Sequence, residues 1–467
     1  MADSRFASIR YIRAHWPLTP KVSLLIIVFI VSLLLRQTII ESVDYATANA
    51  FFLLVFAAGL WITEAIPPFA VSILIIGFAM YFLGDVQTPG LISENWKQYI
   101  NTWSSPIILI LMGGFFMALG AQITQFDRKF SRVVLSWFGT KPYGLLLGFM
   151  LTTGILSMFM SNTATTAMMV AVLIPIIRDI PKRDPLIKAL YLGVASAGTV
   201  GGIGSVIGSP PNAITVGNIQ NHGMEFTFLD WMIFGVPISL FFILMIWFLL
   251  KHRFKTACTE IKIQNSESLE QTDQNTLRNR IIVVITFVLT IGLWLTSNIH
   301  HIPVAVVSFI PVVFFTVSGI IRAADLGRIP WDTLLLVAGG LTLGLAITET
   351  GLAHFLISKI PAFNNPIYML LLLGLVTMLF SNIMSNTATA SILIPLSASI
   401  VPDYTLAASL VIGLCASTAL FLPISTPPNA IVYSTGYLKQ SDFRYIGGII
   451  GIGGSLIIVT IISIFYL

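Results

Sequence analysis

Charged residues are scarce in this sequence. Asp, Glu, Lys and Arg make up 10% of its 467 residues, 56% are hydrophobic, and the mean hydropathy is +0.90. A soluble globular protein carries roughly 25% charged residues because its surface must be solvated. The composition therefore excludes a soluble domain, a disordered chain and a nucleic-acid-binding protein, and it indicates a surface that faces lipid.

Cysteine and histidine are scarce as well. Two cysteines, Cys258 and Cys415, leave no disulfide framework, and the six histidines show no metal-ligand spacing. The motifs that an intramembrane hydrolase would need, HExxH, GxSG and paired GxGD/YD, are absent from the sequence. We therefore expect neither an enzyme nor an organic cofactor.

Apolar runs of about 20 residues are long enough to cross a membrane, and eleven such segments occur in this chain. They lie near residues 19–35, 45–61, 66–83, 104–125, 186–221, 229–250, 280–298, 303–321, 330–358, 404–436 and 444–467. Two further stretches, 143–177 and 366–397, are too long for one helix and are broken in the middle by Ser, Asn and Thr. We interpret each as a hairpin that enters and leaves on one side, which is permitted where its tip is buried in protein or lines a cavity. The predicted fold class is an all-α polytopic membrane protein with eleven transmembrane helices and two re-entrant helical hairpins in inverted repeats.

Lys and Arg concentrate on the cytoplasmic side of membrane proteins. With the N-terminus inside, the inner segments of this layout hold 22 of the 25 Lys and Arg; these segments are residues 1–21, 126–142, 178–188, 251–280, 321–332 and 437–445. Treating either hairpin as a single span would invert everything after it and spoil this partition. We therefore expect a cytoplasmic N-terminus, an external C-terminus and a location in the cell (inner) membrane.

The two halves of the sequence repeat each other. FMSNTATTAMMVAVLIP, from Phe159, returns as IMSNTATASILIP, from Ile383, and GSPPNAI, from Gly208, returns as STPPNAI, from Ser425. By the span count the two hairpins open to opposite sides, so the repeats are inverted, as in secondary transporters whose site lies near the bilayer midplane. We divide the chain into an N-terminal segment with the first membrane helix (1–44), a first repeat (45–250), a cytoplasmic linker (251–279) and a second repeat (280–467).

Short polar residues precede four predicted half-helices at the breaks. Ser161 and Ser385 stand before the outgoing arms of the hairpins, while Ser209-Pro210 and Thr426-Pro427 combine an N-cap hydroxyl with proline at the first helical position. Converging helix N-termini present N–H groups and partial positive charge, which suit an anion. No Lys or Arg lies near the middle of a predicted span, so hydroxyls, amides and helix ends would hold a carboxylate substrate.

The incoming half-helices end near the same breaks and leave carbonyl oxygens without helical partners. Together with Ser157 and Asn162 in the first repeat, or Ser381 and Asn386 in the second, these carbonyls offer the neutral oxygen ligands that suit Na⁺. Two such clusters predict two sodium sites.

The paired SNT motifs, the paired PPN motifs and WITEAIP, from Trp61 to Pro67, give the chain a specific resemblance. It resembles the divalent anion/sodium symporter family, which includes bacterial dicarboxylate transporters, from the second span to the end of the sequence. The resemblance implies eleven spans, two re-entrant hairpins, a homodimer held by scaffold helices and an elevator movement of a transport domain.

Carried over by motif, the resemblance also implies a set of contacts. The substrate meets residues at both hairpin tips and both breaks: Ser161, Asn162, Thr163, Ser209, Pro210, Ser385, Asn386, Thr387, Thr426 and Pro427. One sodium site uses Ser157, Asn162 and the carbonyl region of Gly208, and the other uses Ser381, Asn386 and the carbonyl region of Ser425. Because the repeats read GSPPN and STPPN, unequal affinities are expected at the two ion sites.

The leading hypothesis is a Na⁺-coupled importer of C4-dicarboxylates such as succinate, malate or fumarate. Its partners are then a small dicarboxylate anion, sodium ions, the lipid bilayer and a second copy of the chain, with no nucleic acid. Two alternatives stay open. The first alternative is a sodium-independent dicarboxylate exchanger. The second is a transporter whose substrate is citrate or sulfate, because helix N-termini favour any small anion.

Overall fold

The computed structural model describes residues 20–84, 95–261, 274–358 and 365–467. Over these ranges it contains helices and no strand, which confirms the predicted all-α class. Helices suit an apolar chain because each backbone group is hydrogen-bonded within its own segment. Among the described residues, nine helices are long and apolar enough to cross a membrane: Pro20–Ile39, Tyr45–Thr63, Trp96–Ile123, Pro185–Gly204, Phe228–Arg253, Thr276–Leu295, Trp331–Glu349, Pro366–Ile383 and Gln440–Tyr466. Five shorter apolar helices lie between them: Pro68–Leu83, Pro142–Ser157, Asn162–Ile177, Val304–Val317 and Pro402–Ala416.

The order of helices repeats along the chain. After the peripheral helix Pro20–Ile39, each half contains an entry helix, a short helix, a long inner helix, a hairpin, a broken helix and a final long helix. The first half is built from Tyr45–Thr63, Pro68–Leu83, Pro106–Ile123, Phe126–Ser136, Pro142–Ser157, Asn162–Ile177, Pro185–Gly201, Pro210–Asn221 and Phe228–Arg253. The second is built from Gln274–Leu295, Val304–Val307, Phe309–Val317, Trp331–Glu349, Leu352–Ile357, Pro366–Ile383, Asn386–Ile400, Thr405–Ala416, Pro427–Tyr433, Gln440–Gly448 and Gly454–Tyr466.

At each of the two expected hairpins the structure has a pair of helices joined by a short turn. The first hairpin consists of Pro142–Ser157 and Asn162–Ile177, and the second of Pro366–Ile383 and Asn386–Ile400. Each incoming arm starts with proline, which needs no hydrogen bond for its nitrogen at that position. Each outgoing arm starts directly after a serine in an extended conformation.

Two helices are broken where the sequence contains PPN. The first broken helix consists of Pro185–Gly201 and Pro210–Asn221, and the second of Thr405–Ala416 and Pro427–Tyr433. Proline cannot continue a preceding helix because it lacks an N–H and its ring clashes with the previous turn. The chain therefore unwinds before Pro210 and before Pro427.

The two halves interlock at these breaks. Pro210–Asn221 packs against Thr405–Ala416 and against the outgoing arm of the second hairpin. Reciprocally, Pro427–Tyr433 packs against Pro185–Gly201 and against the outgoing arm of the first hairpin. This exchange places both breaks in the protein interior, where Ser209 and Thr426 are each 2% exposed.

Candidate substrate and ion site

An oxygen cluster lies where the first hairpin turns. Ser157 ends the incoming arm and Asn162 begins the outgoing one, so the short turn brings their side chains together. The Ser157 Oγ lies 2.6 Å from the Asn162 Oδ1 and 2.6 Å from the carbonyl oxygen of Gly198 in the first broken helix. Ser157 is fully buried. Its single hydroxyl proton therefore serves two acceptors at once.

The amide of Asn162 adds to this excess of acceptors. Its Oδ1 faces the carbonyl oxygens of Gly208 and Gly198 as well as the Ser157 hydroxyl. Turned over, the same amide would place its nitrogen 3.0 Å from the Gly208 oxygen, 3.1 Å from the Gly198 oxygen and 2.6 Å from the Ser157 Oγ. In this orientation both ends of the Asn162 amide are satisfied. The Asn162 amide therefore joins the hairpin tip to the carbonyl oxygens of Gly198 and Gly208 in the first broken helix.

Close backbone contacts shape the first cluster. A Cβ on Gly208 would lie 2.5 Å from the carbonyl oxygen of Gly202 and 3.0 Å from those of Ser157 and Met158, so only glycine fits there. Asn212 stabilises the unwound segment, because its Nδ2 donates to the backbone oxygens of Gly202 at 2.8 Å and of Ser205 at 2.7 Å. The carbonyl groups of Gly202 and Ser205 are therefore held in place by the Asn212 side chain.

The second hairpin builds a related cluster. The Ser381 Oγ lies 2.7 Å from the Asn386 Oδ1 and 2.8 Å from the carbonyl oxygen of Ala416 in the second broken helix. Ser381 is fully buried, so here too one proton is shared between two acceptors. The structure therefore brings together Ser381 and Asn386, as the sequence predicts. Ala416 supplies a carbonyl oxygen that the sequence did not indicate.

The side chain of Ser425 has a different partner. Its Oγ donates to the Oδ1 of Asn382 at 2.8 Å, and that oxygen also accepts the backbone N–H of Phe421 at 3.0 Å. The Asn382 Nδ2 donates to the Met378 oxygen at 2.8 Å. Asn382 thus ties the second hairpin to the unwound segment of the second broken helix.

Sequence reasoning missed Asn382. A signal was present, because the motif reads SNIMSNT and contains a second Ser-Asn pair at Ser381-Asn382. The equivalent position in the first hairpin is Met158, so a comparison of the two repeats conceals it. In the first repeat, the hairpin is joined to the unwound segment by a different hydrogen bond, which the Ser205 hydroxyl donates to the backbone oxygen of Met158.

The hydroxyls before the four half-helices fall into two groups. Ser385 and Thr426 act as side-chain caps, accepting from the N–H groups of Ala388 and Asn429 at 3.2 and 3.4 Å. Within the described part of the chain, the hydroxyls of Ser161 and Ser209 make no hydrogen bond, which leaves them free for a ligand.

A contact between the breaks joins the two halves. The Thr199 Oγ1 donates to the Thr426 Oγ1 at 3.3 Å. Equivalent residues of the two repeats differ in exposure. At the hairpin tips, Thr387 is buried and its counterpart Thr163 is exposed. At the breaks, Pro427 is exposed and its counterpart Pro210 is half-buried. The second break therefore contacts the first broken helix directly, and Thr163 at the first tip is more exposed than Thr387 at the second.

The clusters contain no charged side chain. Over the described ranges there is no group of three or more His, Cys, Asp or Glu residues that could hold a metal ion. Neutral hydroxyl, amide and carbonyl oxygens suit Na⁺ better than a transition metal. The N–H groups and dipoles of helix starts are features that suit an anion.

Paired hairpins and broken helices around such clusters define a secondary transporter of the membrane. The model of a family described as citrate transporter matches residues 58–411, about three quarters of the chain. The chain belongs to this citrate transporter family. It is a multi-pass membrane transporter and not an enzyme.

Named relatives agree with the sequence-based resemblance and confirm it. The chain is 29% identical over 482 residues to the sodium-dependent dicarboxylate transporter SdcS of Staphylococcus saprophyticus, covering 93% of this chain and 89% of the relative. It is 29% identical over 448 residues to SdcS of Staphylococcus aureus strain USA300, covering 86% and 82%. The crystal structure of the Alcanivorax borkumensis YdaH transporter shares the fold, with a TM-score of 0.52, 12% identity and coverage of 86% of this chain and 99% of that one.

Proposed function

We propose that this protein imports C4-dicarboxylates such as succinate, malate or fumarate across the cell (inner) membrane together with Na⁺. The observation that carries the proposal is the buried polar cluster at the first hairpin turn, where the Ser157 Oγ lies 2.6 Å from both the Asn162 side-chain amide and the Gly198 carbonyl oxygen. Hydroxyl, amide and carbonyl oxygens of this kind are neutral ligands that suit Na⁺. The names of the staphylococcal relatives support both the ion and the substrate class.

The charge of the substrate explains why sodium is needed. Each helix N-terminus contributes about 0.3–1 kcal/mol toward an anion, and the second broken helix restarts with only seven residues, Pro427–Tyr433. Helix ends alone therefore balance a dianion poorly. In this proposal, sodium ions at Asn162 and Asn386 place positive charge at the two hairpin tips. The substrate carboxylates bind there to the hydroxyls of Ser161, Thr163, Ser385 and Thr387. The helix breaks at Ser209-Pro210 and Thr426-Pro427 complete the substrate site. The ions bind first and the dicarboxylate follows.

The same proposal includes the membrane topology. Eleven spans and two hairpins that re-enter from opposite sides place the N-terminus in the cytoplasm and the C-terminus outside. The charge partition of the sequence supports this arrangement, as does the repeated order of helices. The divisions at 1–44, 45–250, 251–279 and 280–467 follow from it.

Unequal packing of the two hairpins supports an elevator movement. The second hairpin lies tightly against Trp331–Glu349, since a Cβ on Gly340 would be 2.6 Å from the Ser391 Oγ. The tip of the first hairpin is instead bordered by a cavity of about 470 Å³. Helices outside the hairpin region form the scaffold, and through it a homodimer.

Uptake into proteoliposomes tests the proposal. Labelled succinate is supplied outside with a gradient of Na⁺, with a gradient of K⁺, or with internal succinate and no Na⁺. We expect concentrative uptake with Na⁺ alone, competed by malate and fumarate more strongly than by citrate or sulfate. Uptake driven only by internal succinate would identify the exchanger and contradict the sodium-coupled mechanism.

A further inference from the structure

A second binding region lies beside the first hairpin. The cavity of about 470 Å³ is lined by three elements: the segment around the Phe126–Ser136 helix, the tip of the first hairpin and the outer part of Gln274–Leu295. Its walls are apolar side chains, among them Phe126, Phe130, Phe159, Met160 and Val288, with Asp127 as the single ionisable residue. Such a lining suits a hydrocarbon chain and offers a dicarboxylate nothing.

The position of the cavity identifies the source of its occupant. Gln274–Leu295 is apolar enough to span a membrane, and most of its surface is exposed in the described structure. Val288 is 69% exposed and lies at the cavity wall, so the surface of this helix that faces lipid continues into the cavity. A molecule that enters from this side comes from the bilayer.

Charge near the cavity selects the type of lipid. The Phe126–Ser136 helix turns Phe126 and Phe130 into the cavity while Arg128, Lys129 and Arg132 are exposed on its other side. None of these three cations forms an ion pair within the described part of the chain. An amphipathic helix with a basic polar face lies at the headgroup level and attracts anionic lipids.

We propose that this cavity binds one acyl chain of an anionic phospholipid whose phosphate meets Arg128, Lys129 and Arg132. Asp127 is buried at the cavity wall, and its carboxylate accepts the backbone N–H of Arg128 at 2.8 Å. The bound chain contacts Phe159 and Met160, which directly precede Ser161 in the hairpin turn.

The lipid thereby influences transport. A chain wedged between the hairpin tip and Gln274–Leu295 must leave before the hairpin closes onto the neighbouring helices, so its occupancy favours the state with the cavity open. This consequence rests on the proposed elevator movement. The binding site itself does not.

One glycine makes the site testable without disturbing the fold. Gly292 borders the cavity, and a Cβ added there would meet nothing within 4 Å, so Gly292→Leu fills space without a clash. Gly77 is the matched control, because a Cβ there also meets nothing within 4 Å and the residue is exposed on Pro68–Leu83, away from the cavity.

Native mass spectrometry of the purified protein measures lipid retention directly, with phosphatidylglycerol or phosphatidylcholine of identical chains added. We expect the wild type and Gly77→Leu to retain one phosphatidylglycerol and Gly292→Leu to lose it. Arg128→Gln/Lys129→Gln/Arg132→Gln should weaken retention on the order of 100-fold, because each cation near an anionic headgroup contributes a factor of about 5.

Three outcomes would overturn the proposal. They are equal retention of both lipids by the wild type, unchanged phosphatidylglycerol retention in Gly292→Leu, and a change in the monomer-to-dimer ratio in Gly292→Leu, which would show that a second copy covers the cavity. The measurement needs neither sodium nor transport, so its failure is distinguishable from failure of the proposed function.

Discussion

Removing the hydroxyl of Ser157 probes the first ion cluster most selectively. The change Ser157→Ala deletes an oxygen that lies 2.6 Å from both the Asn162 Oδ1 and the Gly198 oxygen, while alanine keeps the helical end of the incoming arm intact. Contacts to a charged group are worth about 1.5–3 kcal/mol, so the sodium concentration for half-maximal succinate binding should rise roughly 10- to 150-fold. Titration calorimetry with succinate at a series of sodium concentrations measures this shift.

Thr153→Val is the matched control for this experiment. Thr153 is fully buried one turn earlier in the same arm, and its hydroxyl donates to the Phe149 oxygen at 2.6 Å without touching the cluster. Its sodium dependence should equal that of the wild type. The reasoning is refuted if Ser157→Ala leaves the sodium dependence unchanged, or if Thr153→Val shifts it equally.

Three further predictions follow from individual residues. Asn382→Ala leaves the Phe421 N–H and the Ser425 hydroxyl without their acceptor and should lower the free energy of unfolding by about 1–3 kcal/mol. This loss should exceed that of Ser425→Ala, and equal thermal midpoints for the two variants would contradict the proposed role of Asn382. Cysteines replacing Asp179 and Asp403, in a background without the native cysteines, should label from the cytoplasm and from outside respectively, and labelling from one side only would disprove the inverted topology. Burial raises the pKa of the Asp127 carboxyl above its ordinary value of 3.8, so the native state binds this proton more tightly than the unfolded state does. The stability of the wild type relative to Asp127→Asn should therefore rise as pH falls through the native pKa. A difference in melting temperature between the two proteins that is the same at pH 7 and pH 4 would contradict this prediction.

The hairpins and breaks were predictable from the sequence because their signals are local. Polar SNT residues inside an apolar run, and Pro-Pro after a hydroxyl residue, interrupt helices wherever they occur. The structure places the hairpin arms at Pro142–Ile177 and Pro366–Ile400, against predicted ranges of 143–177 and 366–397. The proximity of Ser157 to Asn162, and of Ser381 to Asn386, follows from the same short turns.

The remaining members of the site could not be predicted in this way. The oxygens of Gly198 and Ala416 belong to the backbone, which carries no residue-specific signature, and they reach the clusters only through packing of the broken helices. The partner of Ser425 was hidden because the repeats differ: Gly208 has no room for a Cβ, whereas the second break accommodates a serine whose hydroxyl binds Asn382. Differences between the repeats thus carry information that their similarity conceals.

Succinate binding to the purified protein across a sodium series tests the central claim most directly. Because the site offers a dianion only helix ends and neutral dipoles, bound sodium should raise the affinity for succinate, and succinate should raise the affinity for sodium by the same factor. Our account predicts weak binding without sodium and tight binding at saturating sodium, with both effects lost in Asn162→Ala. A succinate affinity that is the same at zero and at saturating sodium would contradict it.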